Sequence, residues 1–479
     1  EDSFNGSGIE QYRESIKFGF GWGNETATLR WNHLWTDKLF SNTAFTYSKY
    51  NFGTDNGFTS TELLNDVVID EEEIAFGYDS GIRDFSAKID FDYIPLPNHF
   101  IKFGANVTRH AFTPGQNKLF FRTVEDQEEV FKLDTVFGQD AVKAYESYVY
   151  VEDDIEITSR LKANIGLHFS TFSVNNTIFP SIQPRIAARY LFPGSYSLKA
   201  SFATMQQNIQ FLSNENIGLP WDQWLPTTDR VRPQTSWQAA IGAAKTFAKD
   251  YEVSVEAYYK EMDNVTAYTE GASVFNAGDW QDQVTQGDGR SYGLEVFLQK
   301  KTGKLNGWVG YTLSWSERRY DDKNFGRWYP FKFDRRHDIS VVAIYELSEK
   351  INFSGTWVYG TGNTFTFPTS QYYVITQNQF SQGQVFPQSV NDISERNNYR
   401  LNPYHRADLN VDFLWGKKRF KNKLSVGAYN FYNRKNPFFL NPETSYEYDP
   451  VTGQQTSSNV LVQYSLFRLI PSIAYSFNF

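Results

Sequence analysis

A strict two-residue alternation, with one of its two faces free of charge on strand after strand, constrains this chain more than any other feature. In Tyr251–Lys260 the residues Tyr251, Val253, Val255, Ala257 and Tyr259 share one face of an extended chain, opposite Glu252, Ser254, Glu256, Tyr258 and Lys260. Leu161–Ser170 sorts the same way, with Leu161, Ala163, Ile165, Leu167 and Phe169 against Lys162, Asn164, Gly166, His168 and Ser170. Phe85, Ala87, Ile89, Phe91 and Tyr93 oppose Ser86, Lys88, Asp90 and Asp92, and the first half of Ile339–Leu347 and Leu409–Trp415 repeat the pattern. A cationic side chain facing lipid near mid-bilayer costs ~2–4 kcal/mol, a penalty that strips charge from one face only. The pattern predicts an all-β chain folded as a transmembrane antiparallel β-barrel, whose polar face lines a lumen that is wet or filled by something polar.

Connection lengths support this. Short connections at Thr36–Lys38, Leu96–His99, Thr158–Arg160, Pro193–Ser195, Ala248–Asp250, Thr302–Lys304, Leu347–Lys350 and Gly416–Arg419 alternate with long ones. The long ones are Gly53–Asp70, Thr113–Val142, Asn208–Gln234, Asp263–Asp288, Glu317–Lys332, Thr361–Asn402 and Lys435–Tyr464. Tight periplasmic turns and extended extracellular loops have this asymmetry. About 18 strands result if Glu72–Pro95 is one long strand, an inference from the even count that bacterial barrels require. Asp79–Arg83 could instead be a turn. An even count near 18 suits large porins, whereas plugged barrels of roughly 22 strands need about four more.

Composition narrows the alternatives. Mean hydropathy is -0.52, and no run approaches the ~18 apolar residues of a membrane-spanning helix. Barrel strands hide their hydrophobicity, because only every second residue meets lipid. The 30 Tyr, 42 Phe and 12 Trp suit aromatic girdles at the two membrane interfaces. The competing reading is a very large soluble all-β domain. The chain has no cysteine, so it has no disulfide framework and no cysteine metal site. A net charge of -9 with no basic patch argues against nucleic acid as a partner. Glu1–Gly8 is acidic and polar and shows no signal-peptide pattern.

At the C-terminus Ile473, Tyr475, Phe477 and Phe479 alternate with Ser472, Ala474, Ser476 and Asn478. Ending on an aromatic resembles the closing-strand signal of outer-membrane β-barrels, which makes Tyr475, Phe477 and Phe479 the candidate assembly signal and the bacterial outer membrane the expected location. Other segments resemble one family. They are Trp22-Gly23-Asn24, Leu29-Arg30-Trp31-Asn32-His33, Leu39-Phe40-Ser41-Asn42-Thr43, Tyr47-Ser48-Lys49-Tyr50 and Gly287-Asp288-Gly289-Arg290-Ser291-Tyr292-Gly293-Leu294-Glu295. Gly307 to Ser314, Asp334-Arg335-Arg336-His337-Asp338, Asn402 to Leu409, and Tyr429 to Arg434 with Lys435-Asn436-Pro437-Phe438 continue the series over nearly the whole chain. In this order they resemble the barrel of TonB-dependent transporters of the Bacteroidetes type. The resemblance implies active uptake of a ligand across the outer membrane by a barrel of about 22 strands, with an N-terminal plug in the lumen carrying a segment gripped by TonB. This sequence shows neither plug nor TonB-contacting segment. Residues 1–479 are therefore expected to be the C-terminal barrel domain of a longer protein, the plug and first strands lying outside the chain. Expected partners are outer-membrane lipid, TonB through that plug segment, the transported ligand, and a surface lipoprotein or other envelope-complex subunits.

No catalytic constellation emerges, so the chain is read as a non-enzyme without cofactor or metal. His33, His99, His110, His168, His337 and His405 are scattered, with no metal-ligand spacing between them. Asp279, Asp282 and Asp288 share a glycine-containing loop but lack a twelve-residue calcium pattern with its closing glutamate. Gly287-Asp288-Gly289 leads into a strand, so it is no phosphate cradle. Asp334, Arg335, Arg336, Asp338, Arg406, Asp408, Glu295 and Glu256 are the candidate lumen- or plug-facing charges: either ion pairs satisfying one another in the wall, or contacts to the plug. Phe211, Trp221, Trp224, Tyr372 and Tyr373 are the candidate ligand contacts, on loops that also carry Phe365, Phe367, Phe380 and Phe386. These aromatics could equally cap the barrel by packing loop on loop. Two other functions stay open, a passive porin-like channel and a structural barrel within a larger envelope complex.

Overall fold

A computed structural model describes residues 10–64, 67–138, 141–212, 223–248, 250–270, 272, 279–377, 385–417, 420–448 and 455–478. Its main feature is one antiparallel sheet of nineteen strands, consistent with the expected count. Seventeen of them form a single meander. They are β1 (Glu10–Thr36), β2 (Leu39–Leu64), β3 (Val67–Tyr93), β4 (His99–Glu125), β5 (Val142–Glu156), β6 (Leu161–Val174), β7 (Thr177–Phe192), β8 (Tyr196–Gln207) and β9 (Gln234–Phe247). Then follow β10 (Tyr251–Tyr268), β11 (Val284–Lys300), β12 (Leu305–Arg319), β13 (His337–Ser348), β14 (Ile351–Gly360), β15 (Tyr404–Lys417), β16 (Phe420–Tyr429) and β17 (Ile470–Asn478). Glu128–Gly138 and Tyr329–Pro330 are short additions beside β4 and β12. Each strand of the meander pairs with its sequence neighbours, and among the described residues β1 pairs only with β2 and β17 only with β16. No described helix is long and apolar enough to cross a membrane.

Glu72–Pro95 falls largely within the single strand β3, and the ambiguous Asp79–Arg83 lies inside it as a register shift between Asp79 and Gly81. The cause is opposite: Pro114 on β4 has no N–H to give the ladder, and the following Gly115 takes φ +146. A Cβ on Gly81 would meet the Tyr50 carbonyl oxygen at 2.5 Å, so only glycine fits there. A hairpin absent from the sequence reading joins β6 to β7 through Asn175-Asn176, with Asn175 at φ 51, the left-handed geometry that two-residue turns need.

Strands β1 to β4 run 26 or 27 residues, roughly 85 Å at ~3.3 Å per residue, against an apolar band of ~25 Å. Much of Gly53–Asp70 and Thr113–Val142, expected as loop, is thus strand continuing past the membrane. These stretches lack an uncharged face because they do not meet lipid, yet their backbone still needs partners.

The faces follow the alternation. Phe85, Val107, Tyr145, Val149, Ile165, Leu167, Phe169, Ile182 and Val255 are exposed on the outer side. Across β8 to β12 the outer face carries a ladder of rings, Phe202 to Trp237 at 6.2 Å, Trp237 to Tyr259 at 5.4 Å, Tyr259 to Tyr292 at 6.2 Å and Tyr292 to Trp315 at 5.3 Å. At the other end of β10, Tyr251 stacks on Phe247. The eight steps from Tyr251 to Tyr259 span roughly 26 Å along the strand, the scale of the apolar band between two girdles.

Candidate functional site

The register places inner-face residues in rows that run across the strands. One row, which starts at the tight turn after β5 and climbs away from the turns to reach the long-connection end of β13, reads Glu156, Lys162, Arg189, Lys199, Gly242, Glu256, Glu295, Thr312 and Asp338. Lys162 has Glu156 at 3.3 Å. Arg189 and Lys199, directly opposed, have no carboxylate within 4.0 Å among the described residues, and the opposed Glu256 and Glu295 have no cation. Like charges placed opposite each other in a ladder are unfavourable. The next row is Ala187, Ser201, Ala240, Tyr258, Gly293 and Ser314, a floor of mostly small side chains. A cavity of about 580 Å3 opens there between the cations and Glu256.

The remaining candidate charges are engaged in the wall itself. Asp334 is 1% exposed. It accepts from the Ser316 N–H at 2.7 Å, has Arg336 at 3.4 Å, and is paired with Arg400, a partner sequence reasoning missed. Arg400 also donates to the Asp334 carbonyl at 2.5 Å, and Arg336 stacks over Trp315 at 4.3 Å. Arg335 sits 3.9 Å from Asp338 and donates to Asn363 at 3.2 Å. Asp408 holds Arg406 at 2.9 Å and accepts the buried Asn430 N–H at 2.9 Å, while Arg406 donates to Tyr429 at 2.7 Å and Tyr404 at 3.1 Å. Of the eight candidates, Glu256 and Glu295 are therefore the two without an ion-pair partner among the described residues.

At the mouth, Ile209–Leu212 and Gln223–Pro226 form a hairpin inside the wall. Gln210 and Leu225 are fully buried, Leu212 nearly so, and Leu212 and Leu225 join Val231 and Trp280 in a small core, while Ile209 packs against the core of Phe112, Ala144, Phe172 and Val174. Gln223 hydrogen-bonds Tyr78 on β3, and Gln210 accepts from Thr266 on β10 at 3.3 Å, so the hairpin bridges two distant parts of the wall. Its base is anchored by Asn208, which donates to Glu146 at 2.9 Å, and Glu146 lies 3.5 Å from a buried His110 that is also 2.8 Å from Asp84. No local signal in the sequence marks these long-range contacts.

Phe211 and Trp224 face each other across this hairpin with ring centroids 4.8 Å apart, both half-buried. Trp221 and Phe380 lie outside the described residues, as do the side chains of Tyr373 and Phe386; Tyr372 is exposed on the strand Ser370–Gln377. Phe365 and Phe367 pack on Tyr399 at 5.1 and 5.9 Å, within the loop itself. The acidic loop is turned to ion pairs: Asp279 and Asp282 hold Arg230, raising its affinity for its proton chiefly through the Asp282 hydrogen bond, and Asp288 pairs with Arg319. Among the described residues no group of three or more potential ligands is placed to hold a metal. Tyr475 and Phe477 are 58% and 59% exposed on the outer face of β17, and Phe479 lies outside the described residues.

The family description "TonB dependent receptor-like, beta-barrel" matches residues 2–456. No curated protein matches the chain. Among solved structures, the ferric preacinetobactin receptor from Acinetobacter baumannii aligns at 11% identity over 97% of this chain and 64% of its own, with a TM-score of 0.53. The ferric citrate transporter in its unliganded form aligns at 8% identity over 97% of this chain and 73% of its own, with a TM-score of 0.51. At these identities the likeness is one of fold, and the chain spans less than two thirds of the first of these proteins.

Proposed function

The chain belongs to the TonB-dependent receptor-like β-barrel family, a family of the Gram-negative outer membrane, and from that premise we propose that it is the wall of a transporter taking up a ligand in a TonB-dependent step. The observation that supports this most is the inner row that starts at the tight turn after β5. Small residues there form a floor, with uncompensated Arg189 and Lys199 on one side and uncompensated Glu256 and Glu295 on the other. A surface of that kind suits packing against a polar body, because close approach needs small side chains and each charged pair gains from an opposite charge. In this reading the body is a plug outside this chain, and it carries the segment that engages TonB. The cargoes named for the two structural relatives do not transfer at 11% and 8% identity, so the ligand class is left open.

Conductance of the full-length protein in planar bilayers in potassium chloride tests this. The wild type is expected to stay closed, and the pair Glu256→Lys with Glu295→Lys to show open events as packing against the wall is lost. A steady large conductance from the wild type would favour the passive channel instead.

A further inference from the structure

Four cations stand close together on the outer, lipid-side face of neighbouring strands: Lys49 on β2, Arg83 on β3, Arg109 on β4 and, a little higher, Lys143 on β5. The register makes Lys49 and Arg83 direct partners, sets Ala111 between Arg83 and Lys143, and puts Arg109 between Phe85 and Tyr145 in the row below. Lys49 and Arg109 each lie ten residues above the start of their strands at Leu39 and His99, about 25 Å above the tight turns after ~40° of tilt. That is the outer edge of the apolar band, on the side of the long connections. Lys49 has Glu25 at 4.0 Å. Arg83, Arg109 and Lys143 are exposed and have no carboxylate within 4.0 Å among the described residues. The nearest strongly acidic part of this face, Glu71, Glu73 and Glu129, is occupied by Arg122 higher up, and Asp79 is taken by Lys118.

Two recesses adjoin these cations. Above, the bulge at Asp79/Gly81 opens a polar cavity of about 420 Å3 bordered by Lys49, Arg83, Gly53 and Gly81. Below, an almost wholly apolar groove of about 660 Å3 runs down the outer wall, with Ala87, Ala105 and Ser147 as its floor and Phe45, Val149 and Phe169 at its sides. Tyr47 and Phe85, in ring contact at 5.1 Å, mark the boundary between the two.

We propose that this face binds a lipid of the outer leaflet, an acyl chain lying in the groove and a phosphate-bearing headgroup held by Arg83, Arg109 and Lys143. Charge decides the occupant. Unpaired arginines at the membrane boundary attract anionic headgroups and form strong bonds to phosphate oxygens, and small residues below them leave room for a chain that stays with its headgroup. This rests on the outer-membrane placement of the wall and not on uptake, so it stands or falls separately from the transport reading.

The test uses the full-length protein in detergent with a bis-phosphorylated, acylated disaccharide lipid as the probe, its dephosphorylated form and inorganic phosphate as further arms. Retention is read by native mass spectrometry. The wild type is expected to retain the phosphorylated lipid, and the triple variant R83Q/R109Q/K143Q to lose at least tenfold in affinity while keeping heat-modifiable migration. Ala105→Trp, which fills the groove and leaves every charge in place, should weaken the same lipid. Removing the phosphates should mimic the triple variant, and inorganic phosphate alone should not compete at equal concentration. Unchanged retention by the folded triple variant, or equal binding of the dephosphorylated lipid, would overturn the headgroup site; unchanged retention by Ala105→Trp would overturn the groove.

Discussion

Asp334 shows what a single residue does in this wall. Its carboxylate is buried, yet it meets two arginines and a backbone N–H. Removing one member of such a group leaves the others uncompensated in a low-dielectric place, at a cost of about 3 kcal/mol. Asp334→Ala is therefore expected to lower the urea midpoint of the folded barrel markedly. Asp334→Asn, which can still accept the Ser316 N–H, should do less harm. The measurement is the fraction retaining heat-modifiable migration after equilibration in urea; equal midpoints for Asp334→Ala and wild type would mean that the cluster contributes no net stability. Glu256 and Glu295 behave in the opposite way, being exposed and without an ion-pair partner among the described residues, so their substitution should spare stability and change what the lumen can hold.

Element β10 carries the alternation in its clearest form. Val255 is exposed on the outer face between the two girdles, and its neighbour Ser254 points inwards in the row of Ala244 and Phe297. Arginine at Val255 should cost ~2–4 kcal/mol, because the charge meets hydrocarbon, whereas arginine at Ser254 meets the polar lumen. The expected outcome is a strong drop in assembled protein for Val255→Arg and near-normal amounts for Ser254→Arg, read on membranes by heat-modifiable migration. If both variants assemble alike, the assignment of faces on this strand is wrong. The paired strands Ile209–Leu212 and Gln223–Pro226 at the mouth are a different sort of element, held by Tyr78 and Thr266 from opposite sides.

For the whole molecule, the sheet has two ends, since β1 and β17 each have a single described neighbour. Bare sheet edges are not stable in hydrocarbon, so closure needs further pairing for both. The orientation of the wall is open to a clean test because the chain contains no cysteine. Phe325, 81% exposed in the connection between β12 and β13, should as Phe325→Cys react with a membrane-impermeant maleimide on intact cells. Ser159→Cys, in the tight turn between β5 and β6, should react only once the outer membrane is permeabilised. The reverse pattern would put the tight turns outside the cell.

The all-β class, the two faces of each strand and the split between tight and long connections were legible in the sequence, because lipid acts on every second residue and leaves a local, periodic trace. Tyr475 and Phe477 could be placed on an outer face for the same reason. Residues 53–64 and 113–125, expected as loop, are strand, since strand beyond the bilayer needs backbone pairing alone and leaves no such trace. The partners of Asp334, the Tyr78–Gln223 bridge and the gathering of Arg83, Arg109 and Lys143 were decided only in three dimensions. Each depends on contacts between separate segments of the chain, brought together by cooperative pairing across the sheet and not by any one segment.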